Sequence, residues 1–283
     1  MGRTIRTILK GAPIKGTPIT VQEDDSLALA LRVMVWSDVR HLPVLKGEVL
    51  TGVVSERDIV RQYSNVGQFA AAQEKVSRVM SRPPITVGPD DSLDAAITLV
   101  ADHGLGCLPV VEQGHLIGLV TRRDLLAQEV HHDVGDAPAE WGHLRVDDFM
   151  SGVPVTASVD DTISVVVDRM SRHGIRHIPV IDGEQRVIGM VSDRDVRTAV
   201  GGPLHAVSAR EAIARMDSTY VTEIMTREPS TLPTGCPLSQ AAAFFADHKV
   251  GALPIVDSRA RLVGLISYAD VLRAIAGPKA NTN

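Results

Sequence analysis

One short segment occurs four times along this chain in variant form, and this repetition limits the fold more than any other feature. Each copy begins with glycine, continues through two apolar residues to a serine or threonine, and ends with an aspartate three positions later. The copies are Gly52–Asp58, Gly118–Asp124, Gly189–Asp195 and Gly264–Asp270. Four copies of one segment inside a longer unit indicate a repeat architecture and a repeated ligand site.

Two further landmarks precede each copy. A Leu/Ile-Pro-Val/Ile motif contains Pro43, Pro109, Pro179 and Pro254. A Pro-x-Thr motif begins with Pro18, Pro84, Pro154 and Pro229. In both series the prolines recur at intervals of 66, 70 and 75 residues. The inner part of the unit therefore has a fixed length, and the connections between units take up the insertions.

The sequence of each unit predicts its secondary-structure elements in the order strand, helix, strand, strand, helix. Ser26 and Ser92 are good helix N-caps, and Gly104 and Gly174 suit the left-handed residue after a helix. Lys46–Glu48 separates two apolar runs and predicts a hairpin. A crossover helix favours parallel pairing and a hairpin gives antiparallel pairing, so the fold class is α/β (α+β) with small mixed three-stranded sheets.

The units are too small to bury a thick core alone, because each has only about 60 residues. We therefore expect them to pack in pairs, helix face against helix face. The predicted repeats cover 1–65, 75–130, 144–200 and 220–277, with a linker at 131–143 and an inserted linker with a helix at 201–219.

Odd and even units differ just before the Leu/Ile-Pro motif. Units one and three have Arg40-His41 and Arg176-His177, whereas units two and four have Gly106-Cys107 and Gly251-Ala252. This alternation predicts that a two-unit module was duplicated, giving modules at roughly 1–130 and 144–283.

Composition argues against several classes of protein. The net charge is −5 and aromatic residues make up 3%, which argues against a nucleic-acid or membrane-surface binder. No apolar run approaches the roughly 18 residues that span a bilayer. Cys107 and Cys236 belong to no CxxC pair, so we expect reduced thiols, a cytoplasmic location and a core position for Cys107. The histidine-rich linker 131–143 reads better as an exposed loop than as a metal site.

The repeated segment has two interpretations, which the sequence leaves open. A Ser or Thr at a helix start with Asp three positions later is a variant of the capping box, a purely structural device. The same atoms suit a ribose phosphate, because the helix N-terminus and the hydroxyl favour phosphate while an acceptor-only carboxylate suits a ribose diol. Arg57, Arg123 and Arg194 stand directly before the aspartate, where a guanidinium can pair with phosphate.

The three motifs in this order and spacing resemble the cystathionine β-synthase (CBS) domain, of which two tandem copies form a Bateman module. The resemblance covers nearly the whole chain and implies clefts between paired repeats that bind adenosyl ligands. It implies ribose contacts by Asp58, Asp124, Asp195 and Asp270. It implies phosphate contacts by Ser55, Thr121, Ser192 and Ser267, and by the basic residues Arg40, His41, Arg176 and His177. It implies backbone contacts with adenine around Thr20, Thr86, Thr156 and Thr231.

The sequence favours a ligand-sensing regulatory protein over two alternatives. Its expected ligand is AMP, ADP, ATP or S-adenosylmethionine, without a catalytic cofactor, and its output is a partner protein or a change of oligomer. An enzyme is not predicted, because no P-loop, Gly-x-Ser-x-Gly or His-Glu-x-x-His motif occurs. A nucleic-acid-binding or scaffold protein is the other alternative. The sequence does not decide between closure of two modules within one chain and a homodimer.

The fourth unit departs from the pattern. Ala269 stands where the other three units have arginine before the aspartate. We therefore expect its site to be weak, empty or specialised for a less charged ligand.

Overall fold

The computed structural model describes residues 3–11, 18–66, 68–131, 143–200, 209–248 and 250–277. Most of the histidine-rich linker lies outside the described residues, so its predicted loop stays a prediction. The chain divides into two compact units, Met1–Gln128 and Glu129–Asn283, which we call module one and module two. No helix within the described ranges is long and apolar enough to cross a membrane.

Each half of the chain contains two copies of the predicted unit. The elements up to residue 131 are α1 (Ile5–Gly11), β1 (Val21–Gln22), α2 (Leu27–Trp36), β2 (His41–Lys46), β3 (Val49–Ser55), α3 (Glu56–Val66), α4 (Gln68–Gln73), α5 (Leu93–His103), β4 (Cys107–Glu112), β5 (His115–Thr121) and α6 (Arg122–His131). The later elements are β6 (Ser151–Gly152), β7 (Ala157–Ser158), α7 (Ile163–His173), β8 (His177–Ile181), β9 (Val187–Ser192), α8 (Asp193–Val200), α9 (Ala209–Ser218), α10 (Val221–Ile224), β10 (Thr226–Arg227), β11 (Leu232–Pro233), α11 (Leu238–Asp247), β12 (Ala252–Val256), β13 (Leu262–Ser267) and α12 (Tyr268–Ile275).

The helix ends form where the local sequence predicts them. The Ser26 hydroxyl accepts a hydrogen bond from the Leu29 amide, and Ser92 does the same for Ala95. Gly104 and Gly174 end α5 and α7 with φ of 62° and 63°, a left-handed conformation that costs glycine little. These caps confirm the predicted start of the first helix in repeats one and two and its predicted end in repeats two and three.

The sheets have the predicted mixed topology, with one addition. In repeat one, β1 runs parallel to β2, and β2 runs antiparallel to β3. In repeat two the first strand shrinks to a single parallel bridge between Val87 and Val110. In module two, β6 adds to the sheet of repeat four and β10 to that of repeat three, so both sheets have four strands rather than the predicted three.

The two added strands belong to two of four segments that we call lead segments, each of which stands before the Pro-x-Thr motif of one repeat and binds the other repeat of its module. The lead segments are residues 3–9, 74–81, 144–152 and 219–227. Each makes two backbone hydrogen bonds at the start of the partner repeat's first helix. These bonds join Ile5 N to Asp91 O, Leu93 N to Arg3 O, Val76 N to Asp25 O, Leu27 N to Glu74 O, Val146 N to Cys236 O, Leu238 N to Leu144 O, Val221 N to Asp161 O and Ile163 N to Thr219 O.

Each lead segment also buries one apolar side chain completely, and two of them bury a second almost completely, Ile8 and Met80. Ile5, Val76, Val146 and Val221 are all 0% exposed. They join an aliphatic core in which Phe245 is the one aromatic among the largest fully buried side chains of the described residues. Because each repeat is closed by backbone and side chains of the other, a single repeat lacks part of its own core, which explains physically why the units pair.

Cys107 lies in this core, as the sequence predicts. It is buried, and burial raises the pKa of its thiol to about 12. Neither it nor Cys236 forms a disulfide. Cys107 therefore acts as a small apolar core residue, whereas the Cys236 thiol donates a hydrogen bond to Gln240 Oε1 at 2.9 Å.

Val153 links a lead segment to the repeat that follows it and carries backbone strain. Its φ is 39°, and 92% of the residue is exposed. A β-branched residue is strained in this region, whereas glycine is not. We expect Val153→Gly to stabilise the protein by about 0.5–1 kcal/mol in chemical unfolding, because relief of strain outweighs the entropy of glycine.

Val159 provides the control for this substitution. It is also an exposed valine, at 39%, but has no positive φ. Val159→Gly should lower stability slightly, since only the entropic cost applies. Equal destabilisation by both substitutions would contradict the assignment of strain to Val153.

Candidate ligand site

The residues predicted for the ligand lie at one edge of each sheet. In repeat one, β1 and β2 begin at this edge, β3 ends there, and α3 begins there. His41 opposes Ser55 across the β2–β3 ladder. Thr20 directly precedes β1, whose Val21 pairs in parallel with Val44. The sequence therefore brings Thr20, His41, Ser55 and Asp58 to a common edge by topology, and the matching residues of the other repeats follow the same arrangement.

The repeated aspartate forms a cap in all four repeats. Its Oδ2 accepts from the amide of the serine or threonine three residues earlier, at 3.0 Å for Asp58, 2.8 Å for Asp124, 2.7 Å for Asp195 and 2.7 Å for Asp270. The hydroxyl of the same serine or threonine donates to this oxygen at 2.5–2.7 Å. The cap thus uses one carboxylate oxygen, Oδ2, of each aspartate.

The second carboxylate oxygen is available in three repeats. Within the described part of the chain, Oδ1 of Asp58, Asp124 and Asp195 accepts no hydrogen bond. An ionised carboxylate oxygen accepts hydrogen bonds only, so it can receive the hydroxyls of a sugar. Capping and ligand binding are therefore compatible, because they use different oxygens of one side chain.

The helix tip is less open than the sequence suggests. The first amide of α3, at Glu56, donates to Arg40 O at 2.9 Å, and that of α8, at Asp193, donates to Arg176 O at 2.9 Å. The Ser55 hydroxyl gives its proton to Asp58 and accepts from the Asp58 amide at 3.3 Å. A phosphate at this tip would have to compete with Asp58 for the hydroxyl proton.

The alternation between Arg-His and glycine corresponds to a direct contact between paired repeats. A Cβ built on Gly106 would lie 2.0 Å from His41 Nε2, and one built on Gly251 would lie 2.3 Å from His177 Cε1. Any larger residue would collide with the imidazole. Each odd-repeat histidine therefore lies against the glycine that directly precedes the second strand of the partner repeat.

This contact brings the two caps of a module together. His41 opposes Ser55 in its own repeat and contacts Gly106 in the other, where the Gly106 carbonyl accepts from the first amide of α6 at Arg122. The ligand edges of repeats one and two thus meet around His41.

A comparison with known families decides what these repeats are. The CBS domain matches residues 14–65, 76–130, 146–202 and 221–277, which together make up most of the chain. The chain belongs to the CBS domain family. Its four CBS repeats form two pairs, each pair being a Bateman module.

Two archaeal proteins show a similar arrangement. Uncharacterized protein MJ1225 from Methanocaldococcus jannaschii is 26% identical over 279 residues, which cover 91% of this chain and 95% of that protein. Its crystal structure, proposed to be an archaeal homologue of γ-AMPK, superposes with a TM-score of 0.74 at 23% identity and covers 96% of this chain and 99% of that one. An uncharacterized conserved protein from Pyrococcus horikoshii gives a TM-score of 0.65 at 18% identity, with coverage of 96% and 99%. These structures support the fold.

Enzymes also contain related CBS repeats, but only as a minor part of their length. Inosine-5′-monophosphate dehydrogenase from Aquifex aeolicus is 33% identical over 129 residues, which are 45% of this chain and 24% of the enzyme. The similarity covers about a quarter of the enzyme, so it corresponds to a pair of CBS repeats and gives no information on the enzyme's activity.

Two arginines that the sequence analysis did not single out contact predicted site residues. In the third CBS repeat, Arg169 donates to Thr156 O at 2.8 Å and to Asp161. Burial alone would raise the pKa of Asp161, but the hydrogen bonds from Ser158 and Arg169 hold it below its usual value. The equivalent residues of the other CBS repeats are the apolar Val33, Leu99 and Phe244, so this departure from an apolar position was the available signal.

The other arginine is in the fourth CBS repeat. Arg273 Nη2 donates to Oδ1 of Asp270, the oxygen that stays open in the other repeats. It lies one turn after the aspartate rather than directly before it, so comparison of the motif alone could not reveal it.

Proposed function

We propose that this protein is a ligand-sensing regulator that binds adenosyl ligands at the ligand edges of its CBS repeats. AMP, ADP and ATP are the ligands proposed first, S-adenosylmethionine is the next, and no catalytic cofactor is needed. The ligand changes the packing within a module, and a partner protein or a second copy of the chain reads this change in the cytoplasm.

The different roles of the two oxygens of the repeated carboxylate support this proposal. A cap needs only Oδ2, yet three of the four repeats keep Oδ1 open beside a serine or threonine, with an arginine one residue away. An acceptor, a hydroxyl and a guanidinium within one helical turn match a sugar diol linked to a phosphate. The resemblance to CBS domains implies that the base of this ligand is adenine.

A route for signalling follows from the lead segments. Ser81 exchanges two backbone hydrogen bonds with Val53, at 3.1 and 2.9 Å, two residues before Ser55 in repeat one. Three residues after Ser81, the same segment begins the Pro84–Thr86 motif of repeat two. A ligand that moves the ligand edge of repeat one therefore also moves the lead segment, which continues directly into the ligand edge of repeat two. Such coupling shifts a conformational equilibrium only if the ligand binds the two arrangements with different affinities.

The test is direct identification of the ligand. Small molecules released from the purified protein would be analysed by mass spectrometry, and the stripped protein titrated calorimetrically with AMP, ADP, ATP and S-adenosylmethionine. We expect saturable binding of at least one of them without turnover. No binding of any of the four at millimolar concentration would reject the proposal, and turnover of the bound ligand would favour an enzyme.

A further inference from the structure

The fourth repeat has the same cap as the others, but the second oxygen of its aspartate has a partner that the others lack. Ser267 donates to Asp270 Oδ2 through its amide and its hydroxyl, both at 2.7 Å. Oδ1 accepts a hydrogen bond from Arg273 Nη2. Both oxygens of this carboxylate are therefore in use, unlike those of Asp58, Asp124 and Asp195 among the described residues.

Equivalent positions in the other repeats show that this pairing is specific to repeat four. The residues three after the aspartate are Arg61, Ala127 and Thr198. Alanine and threonine cannot form the ion pair. Arg61 could, but within the described residues it makes no ion pair with Asp58. Repeat one therefore offers an arginine at the matching position without the contact.

We propose that Arg273 is a specificity-determining residue that partly closes the fourth ligand site. It occupies the carboxylate oxygen that a ribose diol would need, so an adenosyl ligand binds repeat four only by displacing the guanidinium. This inference rests on the proposed function of the other three repeats, and it assigns them the tighter sites.

The expected size of the effect on affinity follows from the solvent exposure of the two side chains. The Arg273 side chain is 64% exposed, whereas that of Asp270 is 11% exposed. An ion pair with one solvated partner is weak, so its displacement costs a factor of about two to five in affinity. Salt screens such a pair, and the closure should weaken as ionic strength rises.

A test must report on each repeat separately. Photolabelling with 8-azidoadenosine and with 8-azido-AMP does so, because the labelled peptides can be assigned to repeats by mass spectrometry. The variants are Arg273→Ala and its matched control Arg61→Ala. Only the AMP probe carries phosphate, so the nucleoside probe isolates the contact with the ribose.

We expect Arg273→Ala to lower the concentration of 8-azidoadenosine for half-maximal labelling of repeat four by about two- to fivefold. Arg61→Ala should leave the labelling of repeat one unchanged. Raising the salt from about 0.02 M to about 0.5 M should bring the unmodified protein close to Arg273→Ala at repeat four, since the Debye length falls well below 10 Å. A folding defect would not produce this dependence on salt.

Three outcomes would overturn the inference. Unchanged labelling of repeat four in Arg273→Ala, with repeats one to three labelled, rejects the closure and leaves the proposed function intact. Weaker labelling by 8-azido-AMP alone would make Arg273 a phosphate ligand instead. No labelling of any repeat in the unmodified protein would reject the proposed function, and the closure with it.

Discussion

Replacing Asp58 and Asp195 together by asparagine is expected to weaken adenine-nucleotide binding at repeats one and three at least tenfold while leaving the fold intact. Asparagine keeps one oxygen, which can still accept from the serine amide and hydroxyl as Oδ2 does now. The other oxygen becomes an NH₂ group, a donor that cannot receive the ribose hydroxyls. Loss of a hydrogen bond to a charged group costs about 1.5–3 kcal/mol, which is at least about tenfold in affinity.

A matched control separates binding from capping. Asp25 accepts from the Gln22 amide at 2.7 Å, three residues earlier, in the same way that Asp58 accepts from Ser55. Asp25→Ala should therefore cost about 1 kcal/mol of stability, because one side-chain-to-backbone hydrogen bond is lost, without weakening nucleotide binding. Calorimetric titration and chemical unfolding of both variants measure the two effects. Unchanged affinity in the double asparagine variant would leave the repeated carboxylate a cap and nothing more.

The second large effect concerns the close approach of a lead segment to a glycine. A Cβ at Gly52 would lie 2.7 Å from Met80 Sδ and 2.8 Å from Ser81 O. The methionine can move, but the carbonyl cannot move cheaply because Ser81 is fixed to Val53 by two backbone hydrogen bonds. We expect Gly52→Ala to lower the free energy of unfolding by about 1–3 kcal/mol, the usual cost of overpacking.

Gly88 is the control for this prediction. A Cβ there would approach Asp91 no closer than 3.6 Å, an ordinary contact, and Gly88 has no positive φ. Gly88→Ala should change stability by less than about 0.5 kcal/mol. Scanning calorimetry of the two variants makes the comparison. Equal stability of both would mean that the lead segment of repeat two is not held as described.

Local sequence signals predict most of the fold. The caps at Ser26 and Ser92, the glycines that end α5 and α7 and the hairpin turns act over a few residues, so their chemistry can be read directly. The alternation of His41 with Gly106 was visible as a pattern, and it correctly predicted pairs of repeats. Its cause was not visible, because the imidazole contacts a glycine 65 positions away.

The lead segments were missed for a physical reason. Each buries only one or two apolar residues in a turn or short helix, and so few residues produce no clear periodicity. A signal was nevertheless present. Val76, Val146 and Val221 each precede a methionine by four positions, and they recur at intervals of 70 and 75, the same intervals as the prolines. The copy at Ile5 falls outside this register because its interval to Val76 is 71 rather than 66.

The candidate site was predictable in its residues but not in its bonding. Motif comparison identifies Ser55, Asp58 and their equivalents, yet it cannot assign one carboxylate oxygen to the cap and the other to a ligand. Nor can it place Arg273 on Asp270, because an arginine three residues further along a helix pairs in one repeat and not in another. Such differences in pairing arise from side-chain conformations, which the repeated motif does not determine.

The most direct measurement is a crystal structure of the protein grown with millimolar AMP. The central prediction is that ribose hydroxyls lie within hydrogen-bonding distance of Oδ1 of Asp58, Asp124 and Asp195, with weaker or no density beside Asp270. Only water beside all four carboxylates, or AMP bound elsewhere on the protein, would contradict it.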